Sequence, residues 1–85
     1  MTITEDAVRR ITASLRKDPK AEEQFIMEPM KRRALMERLL DTECGAEITE
    51  NMIRFDLGCA QPVIPYAELE NAVLESIRGK AQDGR

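Results

Sequence analysis

Apolar residues in this chain follow a helical beat up to about residue 40, a strand-like alternation in the fifties, and a helical beat again from residue 66. Val8, Ile11 and Leu15 recur at the three- and four-residue intervals that line one face of a helix. Thr4 stands before Glu5 and Asp6, an N-cap threonine with acids where the helix dipole favours them, and Ile3 and Val8 occupy staple positions. The helix expected over Thr4 to Lys17 ends at Asp18-Pro19, because proline pushes the residue before it out of the α region.

The segment QFIM, Gln24 to Met27, is a short apolar run that periodicity cannot assign to strand or helical turn. Pro29 suits the first position of a further helix. Met30, Leu35, Met36, Leu39 and Leu40 give that helix a broad apolar face, and Gly45 suits a left-handed stop. In ENMIRFDLG, Ile53, Phe55 and Leu57 alternate with Met52, Arg54 and Asp56, the pattern of a half-buried strand. Glu50-Asn51 marks a bend before it, since Ile48 is out of parity with Ile53. Gly58 to Gln61 reads as a turn, and Pro62 to Pro65 as a short strand whose prolines suit an edge. Leu69, Val73 and Ile77 then mark a helix from Tyr66, with Glu68 and Glu70 early, Arg78 and Lys80 late, and Gly79 as its stop.

These elements predict an α+β domain: an N-terminal helix, then β-α-β-β-α, with a small antiparallel sheet covered on one face by helices. Residues 1–80 form the single domain and residues 81–85 a polar tail. A chain of 85 residues buries only roughly 60–65% of its unfolded surface, so a partner or a second copy could add to its stability, and a homodimer is one option.

Composition narrows the function classes. The net charge of −3 disfavours non-specific nucleic-acid binding, which needs a basic face to neutralise phosphates. The apolar runs are too short to span a bilayer, and MTITEDAVRR is acidic and polar where a signal peptide is basic and then apolar. The expectation is a cytoplasmic protein without a membrane or nucleic-acid partner. The absence of histidine removes most zinc, haem and non-haem iron sites and any Ser–His or Cys–His catalysis. If the chain from Cys44 to Cys59 were one extended strand, it would hold them far beyond the about 7 Å that a disulfide tolerates between Cα atoms. Two free thiols in a reducing compartment are expected.

Candidate chemistry is sparse. Glu43, Glu47, Glu50 and Asp56 are scattered among other charges, Cys59 has no cationic sequence neighbour to lower its pKa, and Tyr66 suits packing. The chain therefore reads as a non-enzyme without a cofactor or metal. Lys31, Arg32 and Arg33 are unusual, because they put three cations in the first turn of a helix, where the dipole is already positive. Two readings stay open: solvated heads on stems that cover apolar surface, or a patch that meets an acidic partner. A phosphate site is disfavoured, since no glycine-rich loop precedes them. Together with the outward positions Met52, Arg54 and Asp56 and the neighbouring Asn51, these residues form the candidate partner-binding surface, with the mixed Arg and Met composition of an interface.

The pieces QFIM, KRRALMERLL, GAEITENMIRFDLG and PVIPYAELENAVLESI follow an order that resembles the small effector (coupling) proteins of soluble diiron monooxygenases. NMIRFD is the closest match, and the resemblance covers about two-thirds of the chain. The first helix has no counterpart in that family, and the family usually continues into further strands. The resemblance implies a regulator without a cofactor or catalysis of its own, which docks on a larger oxygenase subunit and shifts its conformation. A weaker similarity links DPKAEEQFIMEP and GAEITENMIRF to nitrile-hydratase-like leader regions of modified-peptide precursors, although GKAQDGR lacks a Gly-Gly-type cleavage site and a modifiable core. A generic adaptor or inhibitor acting by surface occupation needs neither family.

Overall fold

The computed structural model describes residues 2–83. Its elements are α1 (Ile3–Arg16), α2 (Pro19–Met27), α3 (Pro29–Leu39), a π-helical turn (Leu40–Cys44), β1 (Ala46–Thr49), β2 (Met52–Phe55), β3 (Val63–Pro65) and α4 (Tyr66–Asp83). The fold is α+β, with one three-stranded antiparallel sheet in the order β1-β2-β3.

Helix α1 starts two residues earlier than expected. Thr2, not Thr4, is the N-cap: the Glu5 amide donates to Thr2 Oγ1 at 3.1 Å, and the Thr2 amide donates to Glu5 Oε1 at 2.8 Å. This reciprocal capping box satisfies two otherwise orphaned donors, which Thr4 could not do with an acid only one residue away. Ala7, Ile11, Thr12 and Leu15 are the buried residues of α1, and Val8, expected on that stripe, is only partly buried beside it.

The strand of the expected β-α-β-β-α order at Gln24 to Met27 is not present, because QFIM is the end of helix α2. Asp18 both follows α1 and caps α2, its Oδ1 accepting the Ala21 amide at 3.3 Å, and Pro19 occupies the first turn. An Asp-Pro pair that stops one helix thus starts the next. Ala21 and Phe25, four residues apart, are the buried face of α2. QFIM therefore does not pair with NMIRFD.

Helix α3 follows after one residue, Glu28, whose non-helical backbone (φ −123°, ψ 87°) is the corner between the two helices. Leu35, Met36, Leu39 and Leu40 are buried, but Met30 is 94% exposed and does not belong to the apolar face assigned to it from its spacing. Gly45 ends the π turn in the left-handed conformation (φ 62°), as expected.

The bend at Glu50-Asn51 is a full reversal. Strands β1 and β2 pair Thr49 with Met52 and Ile48 with Ile53, so the two isoleucines share a face across the hairpin. The turn has a positive φ at Glu50 (56°) but not at Asn51. Positive φ at the first central position alone is the arrangement of a type II′ turn, which normally takes glycine there. Strand β2 ends at Phe55, so Leu57 leaves the strand face and is 55% exposed. The loop that follows is closed by the Leu57 amide donating to Ala60 O at 2.9 Å, with Gly58 at φ 86°.

Ala46, Ile53 and Phe55 point from the sheet into one core with Ile11, Leu15, Phe25, Leu35, Met36, Leu39, Leu40, Tyr66, Leu69 and Val73. Each large side chain fully buried here is worth roughly 1.5–3 kcal/mol of transfer free energy. Helix α4 runs past Gly79 to Asp83, so the expected stop at Gly79 does not occur and the expected tail is helical through Asp83. Gly84 and Arg85, the rest of that tail, lie outside the described residues. Cys44 and Cys59 are both free thiols.

Two measurements test this account. Replacing Arg32, whose guanidinium closes the α2–α3 corner with the Phe25 and Ile26 carbonyls, by Met should cost about 1–3 kcal/mol in urea denaturation. Arg32→Lys should not restore the loss, since one ammonium cannot reproduce the guanidinium fork. Glu50→Gly should raise Tm, with a gain of about 1 kcal/mol or less after the added freedom of the unfolded chain is subtracted.

Candidate functional site

The three consecutive cations of α3 do not form one cationic face. Lys31 is exposed and pairs with Glu28 at 3.2 Å. Arg32 turns back toward α2 and is largely buried, its side chain only 13% exposed. Its Nε donates to Phe25 O at 2.6 Å and its Nη2 to Ile26 O at 3.0 Å, while Nη1 lies 3.6 Å from Glu70 Oε2 on α4. The guanidinium also sits 5.6 Å from the centre of the Phe25 ring. A cation that is misplaced with respect to the α3 dipole is well placed for the carbonyl end of α2, which has no basic residue in its own last turn. Arg33 goes elsewhere again. Its Nη2 donates to Glu50 O at 2.5 Å, and its guanidinium lies 5.0 Å from the centre of the Tyr66 ring.

Arg33 thereby fixes the β1–β2 turn to the start of α4. The Tyr66 amide adds a second tie by donating to Asn51 O at 2.8 Å, and the Tyr66 hydroxyl donates to Glu70 Oε2 at 3.2 Å. Asn51 thus serves the turn through its backbone carbonyl, with its side chain exposed. Burial pushes the Tyr66 hydroxyl up to about 12, and the adjacent Glu70 carboxylate adds to the rise. This tyrosine is a packing and hydrogen-bonding group held neutral.

The sheet has one covered and one open face. Strand register puts Glu47, Arg54 and Val63 in one row across the open face, and Thr49, Met52 and Pro65 in the next. All six are exposed, including the large apolar side chains Met52 (41%) and Val63 (49%). Arg54 forms an ion pair with Glu47 on the neighbouring strand. Asp56 lies just beyond β2, where its Oδ1 accepts the Gly58 amide at 3.0 Å.

Two hollows meet at Arg54. One, of about 410 Å³, is lined by Thr49, Glu50, Met52, Arg54 and Val63. The other, of about 350 Å³, is lined by polar and charged groups that include Asp41, Glu47, Asp56 and Gln61. Of the expected partner-binding residues, Met52, Arg54 and Asp56 border these hollows and Arg33 and Asn51 adjoin them through the turn. Lys31 and Arg32 belong to the α2–α3 corner. Val63, Glu47 and Asp41 were missed from the sequence, because Val63 and Glu47 join this surface only through strand register and Asp41 only through the packing of the π turn against β1.

A further concavity of about 450 Å³ lies between α1 and α4, with Val8, Thr12, Ala72 and Ser76 in its lining. Thr12 is buried, and its hydroxyl meets Ser76 Oγ at 3.2 Å, so it is satisfied by helix packing. Burial pushes the Cys44 thiol up, partly countered by Arg10, which favours the unreactive thiol form. No helix among the described residues is long and apolar enough to cross a membrane.

The Tyr66 hydroxyl predicts an alkaline limb of stability. In the unfolded chain it loses its proton near pH 10, whereas in the folded chain it does so near 12. Its contribution is fully present below pH 10 and is lost as pH rises through the folded value, because only the unfolded state releases the proton in that window. Tyr66→Phe should therefore flatten the fall in stability between pH 10 and 12, measured by urea denaturation of both proteins across that range.

No protein-family model, curated protein or solved structure matches this chain.

Proposed function

We propose that this chain is a non-catalytic regulator that docks the open face of its sheet on a larger protein. The observation that carries the reading is the pair of exposed apolar side chains, Met52 and Val63, beside Arg54 over a hollow of about 410 Å³. Exposed apolar groups on a regular strand face, ringed by charge, have the make-up of an interface core and rim. The face stands on a hairpin whose turn is held by Arg33 and the Tyr66 amide, so it is presented with little freedom to lose on binding.

In its specific form, suggested by the resemblance of NMIRFD and its flanks to effector proteins, the partner is a large diiron oxygenase subunit. Regulation then follows from unequal affinity for two conformations of that subunit, since a bound protein shifts an equilibrium only by this difference. The same face could serve an adaptor that acts by occupation alone.

The test is affinity capture from the native host with the wild-type chain and with Met52→Gln/Val63→Thr, which removes apolar contact without changing charge. The wild type should retain a larger protein that the double variant loses, with both chains equally folded by circular dichroism. Identical captures by the two would overturn the docking role. Retention of a single partner that is not an oxygenase would replace the effector form with the adaptor.

A further inference from the structure

We infer that the open face of the sheet recognises a basic segment carrying an apolar side chain, and not the acidic surface that Lys31, Arg32 and Arg33 suggest from the sequence. The inference rests on the docking role proposed for this face and adds the chemistry of the partner. Its basis is the way the charges are used inside the molecule. Lys31 is paired with Glu28, Arg32 is folded onto the α2 carbonyls and Glu70, and Arg33 is spent on the Glu50 carbonyl and the Tyr66 ring. Arg54, the one cation lining the two hollows among the described residues, is neutralised by Glu47.

The carboxylates around the same hollows are less engaged: Glu47 pairs with Arg54, and one Asp56 oxygen accepts the Gly58 amide. Asp41 and Asp56 line the polar hollow and Glu50 lines the apolar one. None of the three has an ion pair among the described residues. Four carboxylates, with Glu47 included, therefore line the two hollows beside Arg54, and Arg33 reaches only the turn at Glu50. The residual charge of the face is negative, and it borders an apolar hollow floored by Met52 and Val63. Complementarity calls for an apolar side chain in the hollow between Met52 and Val63, with a lysine or arginine near it over Asp41 and Asp56. A positively charged segment would also be drawn in by the net charge of −3, whereas an acidic one would be repelled.

The experiment uses two synthetic amphipathic helical peptides, one of leucine and lysine and one with glutamate in place of every lysine. Each is titrated into the full chain while backbone amide shifts are recorded. The lysine peptide should move the amides of Met52, Arg54 and Val63 and bind about tenfold more tightly than the glutamate peptide. Asp41→Lys/Glu50→Lys should weaken it about tenfold, while Glu37→Lys/Glu75→Lys, with the same change in net charge, should alter it by about twofold or less. Asp56 is left in place because its carboxylate holds the Gly58 amide.

Equal binding of both peptides at these amides would overturn the charge inference and leave the docking role intact. The inference also fails if the lysine peptide shifts only other surfaces, or if the Glu37→Lys/Glu75→Lys control weakens binding as much as the rim pair. Capture by the wild type but not by Met52→Gln/Val63→Thr is read separately, so the two failures are distinguishable.

Discussion

Arg32 sits where α2 ends and α3 begins, and the rest of the fold is arranged around how its charge is satisfied. The corner is a single non-helical residue, Glu28, so the last carbonyls of α2 have almost no following chain to cap them. Arg32 reaches back to two of them and faces Glu70 on α4. Charge-assisted hydrogen bonds of this kind are worth about 1.5–3 kcal/mol each, whereas an unsatisfied buried guanidinium would cost more than that. One side chain therefore links α2, α3 and α4.

The next residue carries that order to the sheet. Arg33 holds the Glu50 carbonyl of a hairpin turn that has an unfavourable residue at its positive-φ position. The Tyr66 amide holds the following carbonyl. Strain in the turn is thus tolerated because α3 and α4 clamp it from the same side. With helices on one face of the three strands, the alternation of β2 leaves Met52 and Arg54 on the other, and register brings Val63 and Glu47 beside them.

A face of this kind has two properties relevant to binding. It is regular and held from behind, so little conformational entropy is lost on docking. Its hollows are lined by four carboxylates, Asp41, Glu47, Glu50 and Asp56, beside Arg54, so its electrostatic sense is opposite to that of the cationic run Lys31 to Arg33. The run of cations along the chain is therefore not a patch on the surface, because Arg32 and Arg33 are turned to different carbonyls, to Glu70 and to the Tyr66 ring.

The sequence by itself determined the α+β class, the helical stripe of α1, the alternation of β2, the left-handed stop at Gly45, and the start of α4 at Tyr66. All of these depend on local periodicity, on proline or glycine backbone limits, or on a residue and its near neighbours. The helical state of QFIM was also locally encoded, in the cap Asp18, Pro19 and the Ala21–Phe25 spacing, but a four-residue apolar window hides it. Tertiary structure alone decided the destinations of Arg32 and Arg33, the exposure of Met30, and the meeting of Asp41, Glu47 and Val63 around Arg54. Those outcomes depend on which carbonyls and strands lie within a few ångströms of a long side chain, and that proximity is set by packing between elements distant in sequence.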